Sequence, residues 1–151
     1  LRDSPLAATY SYNLVDHEDG VDDNQGGSAA AITAYAVSSE FDLDNGHKYM
    51  FVSRVIPDIS FDGSTADNPV ATLTLSPLAN PGAGYNSPTS TGGVNNATVT
   101  RTATSPVEVF TEQLDIRVRG RQLSMRIESA ATGVAWQLGT PRLDMRPDGR
   151  R

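Results

Sequence analysis

The sequence predicts an all-β protein, an antiparallel β-sandwich of jelly-roll-like or immunoglobulin-like type, preceded by an extended arm. Three observations carry the prediction. Short runs rich in Val, Ile, Thr and Tyr recur between clusters of Gly, Pro, Asn and Asp, which is how strands and turns are spelled. Apolar residues within those runs alternate with a period of two, and no window sustains a helical period. The chain has 151 residues, enough to bury one core without metal or disulfide staples, yet only 38% of them are hydrophobic, so turn formers fill much of the rest.

Residues 1–28 are expected to be a flexible acidic arm, or a linker from a preceding domain. The stretch Asp16 to Gly27 is acidic, rich in glycine and nearly free of large apolar groups, so burial cannot offset its ordering entropy. Tyr10 to Leu14 supplies one short strand or an anchor.

The sandwich is expected over residues 29–151. Ile32 to Val37 is strand-like, Phe41-Asp42-Leu43 begins a second extended piece, and Asp44-Asn45-Gly46 is turn chemistry because Asn and Gly tolerate positive φ. Lys48 to Ile59 is the strongest strand of this half. Within it Pro57 lacks an N–H for the ladder, so it marks an edge or a bulge. Asp62-Gly63-Ser64-Thr65 turns the chain again. Val70 to Leu75 then places Val70, Thr72 and Thr74 on one face and Ala71, Leu73 and Leu75 on the other. Residues 77–96 read as a long loop, followed by β propensity from Ala97 to Thr104.

The clearest pattern lies in residues 107–128. Leu114, Ile116 and Val118 alternate with Asp115, Arg117 and Arg119; Leu123, Met125 and Ile127 then alternate with Ser124, Arg126 and Glu128. If Gly120-Arg121 is a two-residue hairpin turn, Val118 faces Leu123, Ile116 faces Met125 and Leu114 faces Ile127. The six then share one buried sheet face, with Arg117, Arg119 and Arg126 on the other. A single long strand with a bulge at Gly120 fits the same alternation. Val134 to Gly139, containing Trp136, and Arg142 to Met145 complete the set. Trp136 is expected in the core, buried against the sheet with Val134 and Leu138.

Composition narrows the function. The chain has no cysteine, which removes disulfides and thiolate metal sites. No apolar run reaches the roughly 18–20 residues that span a bilayer, and no apolar h-region follows Leu1-Arg2-Asp3-Ser4-Pro5, so a signal peptide is not expected in this stretch. The net charge of −6 is uneven: residues 1–100 carry a balance of −9 and residues 101–151 one of +3. An acidic surface repels phosphates, so sequence-specific DNA binding is not expected. The two histidines, His17 and His47, lie in acidic or turn segments, and there is no Gly-x-Ser-x-Gly elbow, Walker loop or paired-histidine motif. Read as a calcium loop, the acidic run places Val15 where an oxygen ligand is required. No enzymatic activity, cofactor or metal is expected. Trp136 as a sugar-stacking platform is the alternative that a carbohydrate-binding sandwich would require.

Two segments, Phe110 to Ser129 and Gly133 to Arg151, resemble the C-terminal end of large virion structural proteins of short-tailed bacteriophages. Phe41-Asp42-Leu43, Phe51 to Asp58 and Phe61 to Thr65 fit the same pattern, so the resemblance covers roughly residues 35–151. It places the chain in the tail nozzle, or tail tubular, family. What it implies is a homo-oligomeric assembly protein without a cofactor, missing sequence before Leu1, and Arg150-Arg151 as the C-terminus. The implied partners are other copies of the chain and neighbouring tail, portal or adaptor proteins. DNA passes through such a channel, and no membrane belongs to the mature particle. Arg142, Arg146, Arg150 and Arg151 are the candidate inter-subunit contacts, as a basic segment able to meet the acidic surface of an adjacent copy. Other virion roles, capsid cement or a fibre-attachment domain, are the alternatives.

Overall fold

The computed structural model describes residues 5–17, 19–24, 27–78 and 102–149. Among them every regular element is a strand, apart from one short 3-10 turn at Asp44–Gly46. In chain order the strands are β1 (Leu6–Ala8), β2 (Leu14–Asp16), β3 (Asp22–Asp23), β4 (Ala30–Ala31), β5 (Ala34–Val37), β6 (Phe41–Asp42) and β7 (Met50–Ile56). There follow β8 (Ile59–Ser60), β9 (Val70–Leu78), β10 (Ala103–Glu108), β11 (Leu114–Gly120), β12 (Gln122–Ser129), β13 (Gln137–Leu138) and β14 (Arg142–Pro147).

Two antiparallel sheets make the sandwich. One has the order β10-β9-β12-β5, with β6 also on β12; the other has the order β11-β7-β14. Ala71, Leu73, Leu75, Val107, Leu123 and Ile127 from the first meet Met50, Val52, Val55, Leu114, Ile116 and Val118 from the second in one buried cluster. Each large aliphatic side chain enclosed there contributes about 1.5–3 kcal/mol relative to exposure. The alternation read in β9 is the one observed: Ala71, Leu73 and Leu75 are buried while Thr72 and Thr74 are half-exposed.

β5 and β6 lie in tandem along the same edge of β12, and Ser38 fills the gap between them. Its amide donates to the Met125 carbonyl at 2.8 Å, and its hydroxyl accepts the Met125 amide at 2.9 Å. The Ser124 hydroxyl donates to the Ser38 carbonyl at 3.0 Å, which gives this buried polar side chain a partner. The turn after β6 uses the residue types expected of it: Asp44, Asn45 and Gly46 take φ of 56, 54 and 72° in succession. The strand expected from Lys48 to Ile59 divides at Pro57-Asp58 into β7 and β8. Asp58, itself at φ 48°, accepts the Gly139 amide on its carbonyl and so helps bring β13 to β8.

Gly120-Arg121 is not a hairpin turn. β11 pairs with β7 in one sheet, whereas β12 pairs with β9 in the other, so the chain changes sheets at this point. The Arg121 amide donates to the Leu78 carbonyl at 2.9 Å, anchoring the corner to the end of β9. The six alternating residues therefore do not share one sheet face. Leu114, Ile116 and Val118 line one wall of the core, Leu123 and Ile127 line the opposite wall, and Met125 is only half-buried there. Alternation records which side of a strand faces inward, and that is the same for a hairpin and for a strand that crosses between layers.

The boundary expected at residue 28 falls inside the pairing of β3 with β4, which joins Asp22 to Ala31 and Asp23 to Ala30. The arm is also tied to the sandwich, because the Gly133 amide donates to the Asp22 carboxylate at 2.7 Å. Before it, β1 and β2 form a separate hairpin closed by its own hydrogen bonds, among them His17 amide to Pro5 carbonyl at 2.7 Å. At the loop expected over 77–96, Pro77 and Leu78 are buried at the end of β9; residues 79–101, including the expected strand residues 97–101, lie outside the described ones.

Candidate functional site

The outer face of the three-stranded sheet carries Arg117, Arg119, Arg142 and Arg146 from the basic C-terminal third of the chain. Strand pleating turns Asp115, Arg117 and Arg119 of β11 outward, because Leu114, Ile116 and Val118 face the core. In β14 the half-buried Leu143 and Met145 pack inward and leave Arg142, Asp144 and Arg146 exposed. The register then sets two rows across the sheet: Asp115, Arg54 and Asp144 in one, and Arg119, Phe51 and Arg146 in the other.

The first row alternates in sign, and Arg54 lies 3.6 Å from Asp144. Pairs this exposed contribute little to stability. The second row is built on aromatic rings. Arg146 lies 4.8 Å from the centroid of Phe51, and Arg119 lies 4.2 Å from that of Tyr49, with Arg121 at 5.1 Å from the same ring. Such stacking contributes about 0.5–1 kcal/mol at exposed sites. Arg119 also donates to the Asp148 carboxylate through Nε and to its carbonyl through Nη2 at 3.0 Å. Tyr49 is held in place by its own backbone, whose amide donates to Gly149 at 2.8 Å and whose carbonyl accepts from Asp148 at 2.7 Å.

Arg117, Arg142 and Arg146 make no ion pair with any described residue. Phe51, Ser53, Asp115, Ile116, Arg117 and Arg146 line a shallow open groove on this face. Of the expected contact residues, Arg142 and Arg146 are thus displayed on it, and Arg150 and Arg151 lie outside the described residues. The sequence reading places Arg117 on the polar sheet face without naming it among the contact residues, and it misses the aromatic platforms. The available signal was Tyr49 and Phe51, two residues apart and therefore on one side of the strand, out of phase with the buried Val52.

A second concave surface is acidic. Asp16, Asp19, Asp22 and Asp23 line one open groove with His17 and Ile32. Among the described residues no group of three or more His, Asp or Glu side chains is placed to hold a metal ion.

Trp136 is half-buried and lies outside any strand, since β13 contains only Gln137 and Leu138. Its loop is fixed before it arrives: the Ser64 hydroxyl donates to the Ala135 carbonyl at 2.8 Å and accepts its amide at 3.0 Å. The indole Nε1 donates to the buried Ser129 hydroxyl at 3.0 Å, while the ring packs on the core edge. The expected full burial is therefore corrected to a half-buried ring that packs on the core edge and also lines a shallow groove with Val21, Ile32 and Tyr35. Trp136→Ala is expected to cost about 2–3 kcal/mol in denaturant unfolding, below the 3–5 typical of an enclosed tryptophan. Unchanged stability together with lost polysaccharide binding would turn the argument toward a carbohydrate platform.

No family model matches the chain, and no curated protein matches it.

Proposed function

We propose that this chain is a non-catalytic structural subunit of a bacteriophage virion, forming part of the tail nozzle through which DNA passes. The observation that carries the reading is the display of Arg117, Arg142 and Arg146, exposed and without an ion pair to any described residue, on a chain whose net charge is −6. Charge segregated in this way favours encounter with an acidic protein surface and fixes its register. The resemblance of residues 35–151 to tail nozzle proteins supplies the setting. The acid excess of residues 1–100 supports it further, because a negative wall repels passing phosphate instead of holding it. Its partners on this reading are other copies of the chain and neighbouring tail, portal or adaptor proteins, and its place is the virion tail.

Gold-labelled antibody against the chain, applied to virions of its source and viewed by electron microscopy, tests the proposal. Label confined to the tail below the head is expected. Label spread over the head would replace the nozzle with a capsid-decorating role, and particles without label would remove the virion reading altogether.

A further inference from the structure

The β1–β2 hairpin displays apolar groups that its own chain does not cover. Leu6 is 63% exposed and Leu14 70%, while Tyr10 and Tyr12 are fully exposed. Its backbone hydrogen bonds outside the ladder, Thr9 to Asn13, Tyr12 to Thr9 and His17 to Pro5, stay within the hairpin. An isolated two-stranded hairpin is marginal in water, so this one gains from a surface to lie on. Immediately after it come the carboxylates of the acidic groove, among which Asp16, Asp19 and Asp23 are exposed.

The outer face of the β11-β7-β14 sheet has the complementary chemistry. Arg117, Arg142 and Arg146 supply cations, and the Phe51 ring gives the groove its apolar surface. The two surfaces belong to different parts of the fold: the acidic groove is built by the arm, which is tied to the Gly133 loop, and the arginines stand on the outer face of the three-stranded sheet. Among the described residues no ion pair joins Arg117, Arg142 or Arg146 to these carboxylates within the chain.

We propose that the arm of one copy, residues 5–17 and 19–24, docks on the outer face of the three-stranded sheet of a second copy, its aspartates meeting Arg117, Arg142 and Arg146 and its hairpin apolar groups covering the groove. The two patches differ, so the contact is head-to-tail, and repetition closes a ring or extends a filament according to the rotation per copy. Arginine suits the receiving side because its planar group binds a carboxylate in two-point fashion and stacks on the tyrosines of the hairpin.

This contact deepens the assembly role proposed above, and its test is separate from that of the role. Sedimentation velocity of the full chain should show self-association that weakens as salt rises from about 0.05 to about 0.5 M, since screening shortens the reach of exposed charges. R117E combined with R146E should weaken association about tenfold or more, and D16K combined with D19K should do the same. All four substitutions in one chain should restore it to within about threefold, because the charges are exchanged instead of lost. Circular dichroism melting of each variant, all altered at exposed positions, checks that folding is unchanged. A chain that stays monomeric at every concentration, or association unaffected by either charge reversal, would overturn the contact. So would failure of the fourfold variant to recover. Gold label on the tail with either of those results would leave the tail role standing and remove only this interface.

Discussion

Leu123→Ala is expected to lower the unfolding free energy by about 3–5 kcal/mol, the upper part of the range for aliphatic truncation in a closed core. Leu123 has no exposed surface and stands at the start of β12, immediately after the chain has crossed from the three-stranded to the five-stranded sheet. It lies between two partner strands, facing Pro77 of β9 and Phe41 of β6, so the backbone around it cannot readily collapse into the space left by the side chain. A cavity then remains, and its lining loses dispersion contacts as well as hydrophobic transfer energy. Urea unfolding followed by tryptophan fluorescence measures the loss, with Trp136 at the core edge as the reporter. Val37→Ala, at a position 51% exposed on the sheet edge, is the control and should cost about 0.5 kcal/mol or less. Equal losses at the two positions would show that Leu123 is not held in a rigid wall.

Gly120→Val is expected to be the other costly change, at about 2–3 kcal/mol, by overpacking. A Cβ at Gly120 would lie 2.8 Å from the Gln122 carbonyl oxygen and 2.9 Å from Pro77 Cβ, with the Leu78 oxygen at 3.3 Å. Two of these three neighbours are backbone, which cannot rotate away as a long side chain does. Relief therefore requires the corner to open, and opening it stretches the Arg121 amide from the Leu78 carbonyl. The same denaturant titration reads the effect, and Gly120→Ala should show a smaller loss of the same sign. A valine variant as stable as the parent would mean that β11 and β12 do not approach the end of β9 this closely.

The two positions show what a sequence can and cannot carry. That residues 114–128 are extended, and that Leu114, Ile116, Val118, Leu123 and Ile127 turn inward, follows from period-two alternation alone. So does the inward side of β9. The reversal after β6 is equally local, since Asp44-Asn45-Gly46 are residues that accept positive φ. These features depend on neighbours within a few positions in the chain, and the sequence determined them without further help.

Strand partners do not have that property. Both a hairpin and a crossing strand satisfy the alternation around Gly120, and the choice fell to contacts with β7 and β9, tens of residues away in the chain. The arginine face has the same origin: Arg117 and Arg146 are separated by most of the last third of the sequence, and only the shared neighbour β7 places them on one surface with Phe51. Trp136 is half-open because the loop before it is latched to Ser64, a hydrogen bond across 71 residues that no local pattern encodes. Local backbone preference and facing were therefore written in the sequence, whereas pairing, sheet membership and the composition of the exposed face were decided by tertiary structure. The reason is that a β-strand satisfies its backbone hydrogen bonds on other strands, so which residues become neighbours is settled only when the layers assemble.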